Sequence, residues 1–87
     1  MATRQSIDNL LQQCEDSLRY AKGQLSEGMK QEHYNATEYT KAQEMLEQSY
    51  MNLEEMAHSA NDQQREQLYR MRLQIQQLQN EMILTDY

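Results

Sequence analysis

The clearest pattern along the chain lies in its last third, where an apolar residue returns every three or four positions: Leu68, Met71, Ile75, Leu78 and Met82. Gln, Glu and Arg fill most of the positions between them. That spacing draws one narrow apolar stripe along an α-helix and predicts a helix over about residues 62–84. A similar stripe near the start of the chain runs Ile7, Leu11, Cys14, Leu18, Ala21, Leu25, and Leu10 widens it. Its steps of four and three alternate as in a heptad seam. Ser6 is expected to cap this first helix, with Asp8 favourably placed against the helix dipole. Gly23 weakens its last turns and Gly28 is the expected stop, which gives a helix over about residues 6–27.

A third stripe lies between these two, within about residues 31–58: Tyr39, Ala42, Leu46, Tyr50, Leu53, Met56 with Ala57, and then Ala60. Small Ala positions facing Tyr and Leu let a neighbouring helix approach closely at some levels. Glu44, Glu47, Glu54 and Glu55 fall off the stripe and read as a solvated face; a docking surface for a basic partner is the other reading. Ser59-Ala60-Asn61-Asp62 offers several capping residues, so a turn is expected near 59–62. No Gly or Pro enforces it. The seam also reads straight through positions 53, 57, 60, 64 and 68, with a stutter at two consecutive steps of four, although Gln64 would then sit on it. The stripes thus predict an all-α fold, a single domain over residues 1–87, arranged as an antiparallel three-helix bundle. The alternative is a helical hairpin in which helices 2 and 3 are continuous and the long arm dimerises as a coiled coil.

Composition adds that the core must be thin. Only 38% of the 87 residues are apolar, and Trp and Phe are absent. A chain of this length buries only roughly 60–65% of its unfolded surface. Small cores of this kind usually lean on disulfides, a metal or a partner. Cys14 is the only cysteine and closes no disulfide within the chain. Association with a second copy or with another protein is therefore the expected way to complete the core. The absence of Pro and the presence of only two Gly suit a chain that is mostly helix.

Charge narrows the classes of partner. The net charge is −6, and residues 31–60 carry six Glu against the single Lys41. Phosphate backbones are repelled by that segment and no basic stripe compensates, so nucleic acid is not an expected partner. The longest aliphatic run, Met82-Ile83-Leu84, is too short for a signal sequence or a membrane span. Net negative charge also weakens its reading as a membrane-surface helix. The expected location is cytoplasmic, with no membrane partner.

Few residues suggest chemistry. Glu55-Met56-Ala57-His58 has the Glu-x-x-His spacing of di-iron carboxylate bundles, which makes a metal-binding helical bundle using Glu55 and His58 the alternative function. Its phase is unfavourable: with Leu46 and Leu53 inward, Glu55 and His58 point to solvent. His33 and Glu38 offer at most surface ligands without fixed geometry. Cys14 lies on the inward stripe and reads as a small buried hydrophobe beside Glu15 and Asp16. Tyr39 and Tyr50 read as stripe residues, whereas Tyr34 and Tyr69 fall at edges, where a ring with a polar tip suits an interface. No Gly-rich phosphate loop and no Ser/His/Asp constellation is present, so neither an enzyme nor a cofactor is expected.

The opening Met-Ala-Thr-Arg-Gln-Ser, the middle Lys-Gln-Glu-His-Tyr-Asn and the segment REQLYRMRLQIQQLQNEMIL together resemble the YtzC-like family of short proteins from spore-forming Bacillus-type bacteria. The resemblance spans nearly the whole chain and is most distinctive in the C-terminal segment. It implies a bacterial, soluble, helical protein, and it brings no functional residues with it. The expected function is a small interaction module acting through helix-on-helix contacts. Leu68, Met71, Ile75, Leu78 and Met82 form either its internal core or a dimer interface. Ile75→Ala, near the middle of this seam, is expected to cost about 2–5 kcal/mol if the side chain is buried. Thermal melting together with the oligomer mass checks it; no change in either would remove the seam assignment.

Overall fold

Three helices account for most of residues 2–30 and 36–85, the part of the chain that a computed structural model describes: α1 (Arg4–Lys30), α2 (Ala36–Ala57) and α3 (Asp62–Thr85). The expected start of helix two near Gln31 lies outside the described residues. Cross-helix contacts fix the directions. Ser17 meets Ser49 and Tyr20 meets Glu38, so α1 and α2 are antiparallel. Tyr39 at the start of α2 reaches Met82 near the end of α3, so α2 and α3 are antiparallel as well. All three helices share one core, in a bundle 46 Å long.

The helix ends follow from their caps. α1 starts two residues before the expected Ser6, because Thr3 is the capping residue: its Oγ1 accepts the Ser6 backbone N–H at 3.0 Å. The helix also runs through Gly28 to Lys30 instead of stopping at that glycine. Between α2 and α3 the chain does turn. The N–H groups of His58, Ser59 and Ala60 bond to carbonyls three residues back, which tightens the last turn of α2. Asn61 then caps α3 reciprocally: the Gln64 N–H donates to Asn61 Oδ1 at 2.8 Å, and the Asn61 N–H donates to Gln64 Oε1 at 3.0 Å. Arg65 Nε also donates to the Ala57 carbonyl at 3.1 Å, a second donor on the acceptor that the Ala60 N–H reaches at 3.4 Å. The continuous-helix alternative is therefore not the structure.

Each helix packs against two others, so its buried stripe is wider than a two-stranded seam. On α1, Ile7, Cys14 and Ala21 form the central line and are essentially without exposure. Leu10 and Ser17 lie to one side of it, and Leu18 and Leu25 to the other. Leu10 is buried and Leu11 only half-buried, the reverse of the expected emphasis. On α2 the buried line is Tyr39, Ala42, Leu46, Ser49 and Leu53. Ser49 replaces the expected Tyr50, which moves to a half-buried edge. A hydroxyl can occupy the core there because it is satisfied: Ser49 Oγ donates to Ser17 Oγ at 3.0 Å. On α3, Leu68, Met71, Ile75, Leu78 and Met82 are all buried. They share one core with the large Ile7, Tyr39, Leu46 and Leu53 and the small Cys14, Ser17, Ala21, Ala42 and Ser49 of the other two helices.

The Tyr39 phenol is also inside, donating to the Met82 carbonyl at 2.6 Å and so holding the end of α3 to the start of α2. Among the described residues no buried side-chain nitrogen or oxygen lacks a partner.

Gly23 lies in the interior of α1, and a Cβ built on it meets nothing within 4 Å. Gly23→Ala should therefore lower the entropic cost of helix formation without a clash, raising stability by about 0.5–1 kcal/mol. A urea titration comparing the two proteins reads this directly; a destabilised variant would contradict the open space around Gly23.

Candidate interaction surface

With the α3 seam inside the bundle, the surface left open to solvent lies elsewhere. Among the described residues the large apolar side chains left exposed are Met51, Tyr69, Leu73, Ile83 and Leu84, all on α2 and α3. Leu84 is the extreme case at 86% exposure. Four of the five belong to α3. Tyr69, Leu73, Gln76, Asn80 and Ile83 follow each other in steps of four, three, four and three, and every one of them is exposed. α3 thus carries a second heptad track beside the first, displaced by roughly 100–140° around the helix. The inner track packs the core and the outer track faces solvent.

The edge of this outer track meets α2. The Arg72 guanidinium lies over the Tyr50 ring, 5.2 Å from its centroid, a cation–π contact that keeps both side chains flat on the surface. One turn or two further along, Gln79 Nε2 donates to Glu47 Oε2 at 3.3 Å. Charge is divided sharply between the two helices. α2 carries Lys41 against Glu38, Glu44, Glu47, Glu54 and Glu55, a formal −4. α3 balances three Arg against Asp62, Glu66 and Glu81, and two of those Arg are already in ion pairs, Arg65 with Asp62 at 3.9 Å and Arg70 with Glu66 at 2.8 Å. Glu44, Glu54 and Glu55 make no ion pair among the described residues.

The other residues singled out in the sequence are spread over the molecule. Glu55 and His58 are exposed and line an open cleft of about 490 Å³ between α1 and α2, with Leu10, Gln13, Asn52 and Met56 among its walls. Among the described residues no group of three or more His, Cys, Asp or Glu is placed to hold a metal ion. His33, Tyr34 and Tyr87 lie outside the described residues. Glu38 accepts a hydrogen bond from the Tyr20 hydroxyl, which holds that phenol above its ordinary pKa. Ile83 and Leu84 are exposed, yet no helix of the described residues is long and apolar enough to cross a membrane.

Two features escaped the sequence reading. The Ser17–Ser49 pair was hidden because a stripe drawn through apolar residues skips serine; both positions do fall on the strict heptad lines. The outer track of α3 was hidden because two of its five members are amides.

Comparison with known proteins gives a family. The family described as "Protein of unknown function (DUF2524)" matches residues 1–84. The chain is 60% identical over 84 residues to "Uncharacterized protein YtzC" of Bacillus subtilis (strain 168), a similarity covering 97% of this chain and 93% of that one. No solved structure matches. The chain belongs to this family of proteins of unknown function.

Neither finding assigns chemistry to Cys14, whose setting does not favour reactivity. Burial pushes its thiol up from 9.0 to about 11, and a hydrogen bond with Ser49 only partly opposes this. The unfolded thiol ionises first as pH rises, so the folded state is favoured fully below pH 9 and loses that advantage between 9 and about 11. Stability of the wild type should fall through this window more steeply than that of Cys14→Ala. Urea titrations of both proteins across it measure the difference, and parallel curves would show that the thiol is not desolvated.

Proposed function

We propose that this member of the family is a small, non-enzymatic, cytoplasmic interaction module that docks a protein partner, a second copy or another protein, on the outer face of α2 and α3. The observation that carries this reading is that, among the described residues, the exposed large apolar side chains all belong to α2 and α3, four of the five to α3. Scattered surface apolar residues need no explanation, but Tyr69, Leu73 and Ile83 share one face of α3 with the uncharged Gln76 and Asn80 between them, a surface an apolar helix face can meet. Exposed tyrosine and methionine fit the same use, since both adapt to an apolar surface at low cost. A cytoplasmic setting suits a core that keeps Cys14 as a free thiol. The acidic α2 beside the track speaks for a protein partner over nucleic acid or an anionic bilayer.

Leu73, at the centre of the track, is 46% exposed. Leu73→Glu should change folding stability by no more than about 0.5 kcal/mol, because it lies outside the core. Affinity capture from the native host under mild conditions, with wild type and Leu73→Glu side by side, tests the reading. The expected outcome is a protein retained by wild type and lost by the variant, with equal thermal melting. Identical captures from the two, or none from either, would overturn it.

A further inference from the structure

The groove between the outer faces of α2 and α3 sets an acidic wall beside an uncharged one. We infer that it takes an amphipathic helix of another protein, apolar where it lies on α3 and carrying Lys or Arg along the edge next to α2. This rests on the reading of that face as a docking surface and names the chemistry of the partner.

The two walls come from successive turns of each helix. On α2 they are Glu47, Met51 and Glu54, all exposed and spaced by four and three residues. On α3 they are the exposed row from Tyr69 through Leu73 to Ile83, which has no charged member. Toward the end of α3 the groove encloses about 330 Å³, with Gln43, Glu47, Gln76, Asn80 and Ile83 among its walls. Glu47 is level with Gln79, and Tyr50 with Arg72. That antiparallel register puts Met51 near the level of Leu73 and Glu54 near that of Tyr69. A helix laid in the groove therefore meets apolar side chains at its middle and a carboxylate on either side of them.

Charge selects the partner. α2 is a formal −4, and its single cation, Lys41, lies roughly 120–140° around the helix from Glu47 and Glu54, away from the groove. Neither of these carboxylates is in an ion pair among the described residues. Arg72, the cation on this edge of α3, is held over the Tyr50 ring, one turn from each of them. The partner's cations thus belong at Glu47 and Glu54, seven residues apart, and the apolar residue between them covers Met51 and Leu73. The net charge of −6 attracts such a segment from a distance and repels an acidic one. Gln76 and Asn80 keep the apolar contact short, so the affinity is modest, with a Kd of about 10–100 μM at low salt.

Titration of the full chain with a defined peptide, followed through the protein's backbone amide resonances, tests this. The probe is a helical peptide of about 18 residues with a Leu stripe and two edge Lys seven apart; its control has Gln in place of both Lys. Resonance shifts should fall within residues 47–54 and 69–83, and the Lys peptide should bind roughly three- to tenfold more tightly than the Gln peptide. That preference should vanish in Glu47→Gln/Glu54→Gln. It should persist in Glu15→Gln/Glu55→Gln, which removes the same charge from α1 and from the side of α2 that lines the cleft with α1. Equal loss in the two variants, or shifts confined to another face, would overturn the inference. Equal binding of both peptides in the groove would overturn the basic edge and leave the docking face standing. Binding of neither at about 1 mM would also overturn the inference, and capture with Leu73→Glu then decides the docking face by itself.

Discussion

Everything in this fold hangs on the corner between α2 and α3, a stretch of four residues held by side-chain-to-backbone hydrogen bonds and by no glycine or proline. The Asn61–Gln64 reciprocal cap supplies acceptors and donors that a continuous helix would have provided from its own backbone. Arg65 joins the Ala60 N–H in donating to the Ala57 carbonyl at the end of α2. A cap of this kind contributes about 0.5–2 kcal/mol, small in absolute terms. Its consequence is large, because it decides whether α3 folds back on its own chain. Once it does, Leu68, Met71, Ile75, Leu78 and Met82 become core, and the opposite face of the same helix becomes the accessible one.

The core that results is small and is built from complementary sizes. α3 contributes only long side chains, whereas α1 and α2 mix large ones such as Ile7, Tyr39, Leu46 and Leu53 with the small Cys14, Ser17, Ala21, Ala42 and Ser49. Small residues let the backbones come close at some levels, and the bulky ones of all three helices fill the rest. Polar groups inside are paired: Ser17 with Ser49, and the Tyr39 hydroxyl with the Met82 carbonyl. An unpaired hydroxyl in either place would carry a desolvation cost of about 1–3 kcal/mol, so these contacts tie the register of the helices to one arrangement. Cys14 sits in the same layer and is there for its size.

Outside, the helices divide the labour differently. α2 bears −4 of the net −6, and α3 bears four of the five exposed large apolar side chains among the described residues. The acidic row repels anionic surfaces, and α3 beside it carries no net charge. The outer row of α3, Tyr69, Leu73, Gln76, Asn80 and Ile83, has no charged member, which sets it apart from the acidic face of α2.

The amino-acid sequence by itself determined the helical class, the phase of α3 and most of the buried stripe of α1 and α2, because apolar spacing near 3.6 residues has one geometric meaning. Helix ends were less legible. Thr3 outcompetes Ser6 as a cap, and the helix continues through Gly28, since local propensity is weak beside the packing of twenty-seven residues of α1. What only the tertiary structure decided were choices between neighbours one residue apart. Leu10 or Leu11, and Ser49 or Tyr50, are settled by the angle at which two other helices meet the stripe, and by whether a hydroxyl finds a partner across the core. The outer track was equally invisible: Tyr69, Leu73, Gln76, Asn80 and Ile83 stand out only when the inner seam is known to be filled from within the chain. A helix states its periodicity in sequence, but which of its faces is already occupied is a property of its neighbours.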